Sequence, residues 1–439
     1  MNTHLLLIRY RGQVNYGEIA KDAAKAAQAN PAMTEAELLA YIESRYAPAT
    51  LLRPMEQAAP LAVFGADLID PGAFAQMASV LRLPMAVRGA LMPDGHQGYA
   101  MPIGGVAILR DAVSPSFVGY DIGCMMMVST FEITPQDFAG SRPALAAALR
   151  SVTSFGLGAM TPAAQGHFDH PVMDDPRWSE TAILRSLKPL AREQLGSSGG
   201  GNHFADLCEV TWANGRDAQI ALMTHSGSRA AGHKLATHYV SVARRETAAI
   251  ARGIEPGYEW LPDSSEAGLE YLAAMQLMGD YARANHECIH AAYAEAIGVR
   301  PDWTFWNRHN FAWIEDEGII HRKGATPARA GDIGIIPGSS GTSSYIVRGK
   351  GNARSINSSS HGAGRPFSRS EAKRRHNAGQ VDGWMTEHDV MSFGLAPDET
   401  YAAYKDIAAV MAAQTDLVDI VATLKPRVVI MGGQADDGD

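Results

Sequence analysis

Gly119-Tyr120-Asp121-Ile122-Gly123-Cys124 sets a carboxylate and a thiol three residues apart, beside a glycine that lets the backbone turn. An Asp and a Cys at that spacing can grip one ion or a pair. A thiolate is a soft ligand and a carboxylate a hard one, so a site that uses both, completed by imidazoles, suits a divalent first-row metal such as zinc, cobalt or manganese. The plainer reading makes Cys124 a small buried hydrophobe and Asp121 a turn residue. Four further stretches weigh against the plainer reading, because each puts a His among small or glycine residues: 199–204, 224–229, 303–311 and 358–365.

Working outward, a chain of 439 residues, 46% hydrophobic and 19% charged, has the composition of a globular protein with a sizeable core. Cys124, Cys208 and Cys288 are too few and too scattered for a disulfide framework, and the apolar run Leu5 to Ile8 is too short for a secretory signal. No run reaches the length of a membrane span, so the expected compartment is the cytoplasm. A formal charge of −9 argues against indiscriminate nucleic-acid binding. Its distribution is uneven: His321 to Arg375 holds eleven basic residues against two acidic ones, Asp332 and Glu371. That segment reads either as a solvated basic face or as a polyanion-binding surface.

Residues 1–50 read as an accessory segment, with a short strand-like start. Thr34-Glu35-Ala36-Glu37 then forms a capping box that opens a helix toward Tyr46. Leu91 to Val106 is dense in Gly and Pro and is expected to be an irregular loop or tight turns. His167, Asp169 and His170 could ligate a metal but read as a surface loop. Gly199-Gly200-Gly201-Asn202-His203-Phe204 suits a backbone nest whose amides face phosphate oxygens. The strand-like Ile220 to Met223 delivers Thr224-His225-Ser226-Gly227-Ser228-Arg229 at its end, before a long helix.

His286-Glu287-Cys288-Ile289-His290 matches H-E-x-x-H, the zinc-peptidase pattern, but neither a third-ligand spacing nor a Met-turn follows it. Pro337 to Tyr345 offers hydroxyls and amides for phosphate or ribose, although no Walker A loop occurs in the chain. Ser358 to Arg365 fences His361 with small residues and sets Arg365 four positions on. The imidazole there could be approached by a phosphoryl group while the guanidinium neutralises developing charge. From Asp398 the pattern is helical, with Tyr401, Tyr404, Ile407 and Val410 on one face, followed by the strand-like Val428 to Met431 and an acidic tail, 434–439. One catalytic domain over 51–433 is the expectation.

Taken in order, the motifs resemble the RtcB-type RNA-splicing ligases. They are Met92-Pro93-Asp94 to Gly105, Asp121-Ile122-Gly123-Cys124, Gly199 to Phe204, His225 to Arg229, His309-Asn310, His321 to Ala325, Pro337-Gly338-Ser339 and His361 to Arg365. The likeness spans roughly residues 60 to 431. It implies a mixed α/β (α+β) fold, a binuclear manganese site and GTP-dependent joining of RNA ends, 3′-phosphate or 2′,3′-cyclic phosphate to 5′-hydroxyl, in RNA repair or tRNA processing. Carried over by position, it makes Asp121, Cys124, His203, His225 and His309 the metal ligands, with Cys124 bridging, and His361 the residue that takes GMP. Asn202, Phe204, Asp206, Asn310, Pro337, Gly338, Ser339, Ser340, Ser344, Gly362, Ala363, Gly364, Tyr404 and Met431 would line the guanylate pocket. The partners implied are GTP and RNA with broken ends, with room for an activating protein.

Four departures from the family pattern stand out. Asp206 stands where Glu is usual, Met431 where a Lys is usual, Met125-Met126-Met127 where Gly-Met-Arg is usual, and His286 where Arg is usual. Loss of that lysine removes a cation and a donor that Met cannot replace. Three other readings compete: a metal-dependent phosphoesterase that opens cyclic phosphate ends without nucleotide, a non-catalytic binder of RNA ends, and a metallopeptidase.

Overall fold

Alternation of apolar residues builds the main sheet. In strand Phe204–Trp212 the side chains of Ala205 and Leu207 face one way and those of Cys208 and Val210 the other, as the two-residue period of a strand requires. Its order is Ile333–Ile336, Ser344–Gly349, Val418–Met431, Phe204–Trp212, Gln219–Ser226, Met125–Phe131 and Pro301–Arg308, with the short Met391–Phe393 alongside Val418–Met431. All pairings are antiparallel except that of the short strand. One face packs Ala205, Leu207, Ile220, Leu222 and Val428 with Phe138 and Leu149 of helix Pro135–Val152 and Tyr293 of helix Glu266–Ile297. Both helices start on a side-chain cap, Thr134 and Ser265, and the second stops at Gly298 in the left-handed conformation.

A second sheet runs Leu61–Val63, Ala86–His96, Ile103–Leu109, Gly318–Lys323 and Asn310–Glu315. Edge strand Pro301–Arg308 of the first sheet and edge strand Asn310–Glu315 of the second are separated by His309 alone. The chain therefore steps from one sheet to the other at a histidine. Its amide donates to Cys124 O at 3.0 Å, and Gly123 N donates to Asn310 O at 2.8 Å, which binds the Asp121–Cys124 loop to the same junction. The helices and sheets form the mixed α+β fold the sequence implied.

This computed structural model describes residues 7–10, 16–46, 51–156 and 168–432. His167 and the acidic tail 434–439 lie outside them. Helices Tyr16–Ala29 and Glu35–Glu43 share a small apolar cluster of Ile19, Ala23, Leu38 and Ile42, and Thr34 and Glu37 cap each other reciprocally. Among the described residues no helix is long and apolar enough to cross a membrane.

Three local expectations change. Leu7–Tyr10 is a 3-10 turn rather than a strand. Leu91 to Val106 is mostly two paired strands joined by a turn, because pairing and burial override the local glycine and proline signal. Past Asp398 the helical pattern breaks into two 3-10 turns and helix Ile407–Ala412, with Tyr404 extended, and the last strand is longer than expected, Val418–Met431.

Candidate active site

Five candidate ligands from four separate segments meet between the sheets. Asp121 and Cys124 come from the loop before Met125–Phe131, His203 from the loop before Phe204–Trp212, His225 from strand Gln219–Ser226, and His309 from the junction. Cys124 Sγ lies 3.1 Å from His225 Nε2 and 3.5 Å from His203 Nε2. His203 Nε2 is 3.0 Å from Asp121 Oδ2, and the Nε2 atoms of His225 and His309 are 3.2 Å apart. The donors fall into two triads, Cys124–His225–His309 and Asp121–Cys124–His203, each within 4.8 Å. Cys124 belongs to both.

The surroundings suit metal binding. Burial lowers His225 to about 3 and holds His309 well below the usual imidazole range, so both are neutral, the form that ligates. Burial would raise the Asp121 carboxyl, but the hydrogen bond and charge of His203 outweigh it and hold it at about 2. Burial pushes the Cys124 thiol up, a preference that a bound cation reverses by deprotonating it. His225 Nδ1–H donates to Asn202 O at 2.9 Å, which fixes the tautomer and turns Nε2 to the cluster. Gly227 makes room, because a Cβ there would lie 1.9 Å from Asp121 Oδ1. At Gly123 the backbone is left-handed, with φ 72°, and a Cβ would lie 2.8 Å from Gly279 Cα of the long helix. The donor set thus suits one or two divalent cations, one at each triad.

His361 stands next to this cluster, its ring centroid 5.0 Å from that of His309. Asp94 Oδ2 accepts from His361 Nδ1–H at 2.7 Å and from its backbone N–H at 3.1 Å. Asp94 is fully buried; burial opposes its charge, yet the contact with His361 keeps its carboxyl below the usual range. In the sequence Asp94 is one residue of the Met92-Pro93-Asp94 motif, with no role legible from it. Its contact with His361 bridges 267 positions, so only its place in the motif marked it.

The expected guanylate residues form several groups. The Pro337-Gly338-Ser339 loop closes on itself, with Gly338 N donating to Ser344 Oγ at 3.0 Å and Ser339 N to Thr342 Oγ1 at 2.7 Å. Gly362 adjoins it, since a Cβ there would lie 3.4 Å from Pro337 O; Ala363 is buried beside it, and Gly364 O accepts from Lys405 N. Ser340 Oγ donates to Glu399 O at 3.1 Å. Asn310 Oδ1 accepts from Gly324 N at 2.8 Å, and the Phe204 ring lies 5.6 Å from that of His225. Asp206 is buried with Oδ1 unpartnered among the described residues, and burial pushes its carboxyl well up. Met431 packs with Val381, Met385, Val390 and Val429. The triple glycine forms a turn against the His203 ring, with the nearest atom to a Cβ at Gly199 being His203 Nδ1.

Arg365, expected to neutralise phosphoryl charge, is engaged elsewhere. Its guanidinium donates to Glu399 Oε1 at 2.6 Å, Asp398 O at 2.8 Å and the Tyr404 hydroxyl at 2.9 Å, while that hydroxyl donates to Glu399. Much of the basic segment is likewise balanced internally: Arg369 and Lys373 pair with Asp398 or Glu399, Arg329 with Glu315, Lys350 with Asp419 and Arg375 with Glu371.

The H-E-x-x-H pair is not at the cluster. His286 Nδ1 and His290 Nε2 sit 2.5 and 2.8 Å from Thr224 Oγ1, and His290 Nδ1 is 2.7 Å from Ser129 Oγ. Glu287 pairs with His170 and Arg283. These imidazoles brace the helix on the sheet behind His225, so the peptidase reading loses its geometry.

Comparison with known proteins agrees with the motif order. The family model described as "tRNA-splicing ligase RtcB" matches residues 76–432. RNA-splicing ligase RtcB of Escherichia coli (strain K12) is 31% identical over 392 residues, covering 83% of this chain and 95% of that protein. RNA-splicing ligase RtcB of Mycobacterium bovis is 30% identical, covering 81% of this chain and 100% of that one; the tRNA-splicing ligase RtcB of Thermococcus kodakarensis is 27% identical, covering 81% and 90%. With the family model spanning most of the fold and carrying every residue of the two triads, the chain belongs to the RtcB family.

Proposed function

We propose that the protein is a manganese- and GTP-dependent RNA ligase, joining 3′-phosphate or 2′,3′-cyclic phosphate ends to 5′-hydroxyl ends through a histidine–GMP intermediate, in RNA repair or tRNA processing. The observation that carries this reading is the setting of His361, oriented by a buried carboxylate at 2.7 Å and with its ring tilted against that of His309 in a cluster of metal donors. With Nδ1–H given to Asp94, Nε2 presents a lone pair. Its attack on the α-phosphorus of GTP forms a P–N bond as the bond to pyrophosphate breaks, and the Asp94 carboxylate stabilises the imidazolium that results. GMP then passes to the RNA 3′-phosphate, and attack by a 5′-hydroxyl forms the phosphodiester and releases GMP. A cyclic end is first opened by water.

Asp121, Cys124, His203, His225 and His309 would hold two cations, which supply Lewis acidity to phosphoryl oxygens; zinc and cobalt suit the same donors. The guanylate would lie across the Pro337 and Gly362 loops, near Asn202, Phe204, Asp206, Asn310, Tyr404 and Met431. Three free, buried cysteines suit a reducing cytoplasm as the compartment.

The test is incubation with labelled GTP or ATP and manganese. An acid-labile adduct on His361, absent from His361→Ala, is the expected result; no adduct with any nucleoside triphosphate overturns the reading. A phosphoesterase without sealing is the second reading, favoured by the apolar Met431 and by the orphaned Asp206 carboxyl. Opening of a cyclic end without GTP and with no joined product selects it.

A further inference from the structure

Three rings outside the groups assigned above stand in a row at the surface beside the cluster. Tyr99 and Tyr120 meet edge to face, with centroids 6.0 Å apart and planes at 86°; Tyr120 and His233 are stacked, with centroids 5.2 Å apart and planes at 28°. Tyr99 is 66% exposed, His233 is exposed, and Tyr120 is half-buried against the core that includes Ile122 and Leu235.

Each ring follows or precedes a residue of the candidate site closely in the chain. Tyr99 lies in the turn that follows Asp94 and His96, Tyr120 immediately precedes Asp121, and His233 lies near the start of helix Arg229–Ile250, which follows the strand bearing His225. Buried Lys323 runs past the same loop: a Cβ at Gly119 would lie 3.5 Å from its Cε. Rings in a row at the surface match the chemistry of a nucleotide base, whose flat face they can stack against.

We infer that the Tyr99–Tyr120–His233 row is a stacking platform for unpaired bases next to the reacting end of an RNA strand. The inference rests on the ligase reading and deepens it by naming how the RNA end is held. Stacking accepts any base, because every base has a π face, and so suits an enzyme that must act on broken ends of varied sequence.

The test is a thermodynamic cycle between protein and RNA, with the full-length protein and short single strands ending in a 3′-phosphate. The strands carry either a normal end or abasic terminal nucleotides, and affinity is read from quenching of a 2-aminopurine placed at the next base. Tyr99→Ala weakens binding of the normal strand by roughly 5- to 150-fold, the range one stacked base confers. The abasic strand loses a similar factor with the wild-type protein and loses no more with Tyr99→Ala, while Tyr99→Trp restores binding. His233→Ala behaves like Tyr99→Ala and guards against a local distortion peculiar to either. Independent, multiplying losses would overturn the platform and leave the ligase reading standing. A wild-type protein that binds neither strand would overturn both.

Discussion

Cys124 is the single donor common to the two triads, and that sharing gives the residue a signature its neighbours lack. Asp121 and His203 each belong to one triad only, as do His225 and His309. In Asp121→Ala the Cys124–His225–His309 triad stays intact, so about one equivalent of manganese or zinc should remain per chain; in Cys124→Ala both triads lose a ligand and metal content should fall toward zero. Elemental analysis after gel filtration reads the difference, and a Cys124→Ala protein that keeps both ions would remove the bridging role. Asp94 is the other residue whose chemistry stands apart. Asp94→Asn keeps the size and one acceptor but loses the charge that offsets an imidazolium at His361. The rate of GMP transfer to His361 should drop by about 10- to 100-fold, as loss of an orienting partner does elsewhere, with metal content unchanged. Wild-type rates in Asp94→Asn would show that the contact is only structural.

Helix Glu266–Ile297 shows how an element positions a site to which it contributes no ligand. Its Gly279 lies under the Gly123 turn and against strand residues Arg308 and Phe311, and a Cβ there would sit 2.8 Å from Phe311 Cε2 and 2.9 Å from Arg308 Cζ. Alanine in place of glycine gains about 1 kcal/mol of helix propensity. Overpacking at a site with backbone and ring on three sides costs about 1–3 kcal/mol. The clash should win: Gly279→Ala lowers the unfolding midpoint and loosens the Asp121–Cys124 loop, which weakens metal affinity, and a rise in the midpoint would refute this account. The same helix marks the boundary of what could be read locally. The caps at Thr34 and the turns around Gly123 were legible because they depend on residues a few positions apart. The H-E-x-x-H spacing was equally legible, but what His286 and His290 face, Thr224 rather than the cluster, depends on strands more than 60 positions away. Leu91 to Val106 misled for a related reason: glycines admitted for close strand packing look, in sequence, like glycines admitted for loops. The ligand loops stood out one by one, whereas their convergence came only through motif order, and the Asp94–His361 and Arg365–Glu399 pairings had no local signal at all.

At the scale of the molecule the question is how a chain of net charge −9 meets a polyanion. The basic segment invites the answer that eleven cations form an RNA-binding face, but the fold disposes of most of them. Arg322 and Lys323 are buried, Arg365, Arg369 and Lys373 face Asp398 and Glu399, and Arg329, Lys350 and Arg375 have acidic partners. Arg348, Arg354 and Arg374 are exposed and enter no ion pair among the described residues. Each phosphate neutralised on a single strand contributes about −0.7 to the slope of log affinity against log salt. Three contacts give a slope of about −2, whereas the whole segment acting together would give about −8. Affinity for a single-stranded RNA with a 3′-phosphate, measured between 50 and 300 mM salt, on the order of a Debye length of 10 Å, should follow the shallow slope. Arg354→Ala should reduce the slope's magnitude by about 0.7 if that side chain makes one of the contacts. A slope steeper than about −6 would mean that the internal pairs open on binding and that the segment works as a polyanion surface after all. The shallow slope instead assigns most of the affinity to the RNA end itself, at the cluster and the ring platform.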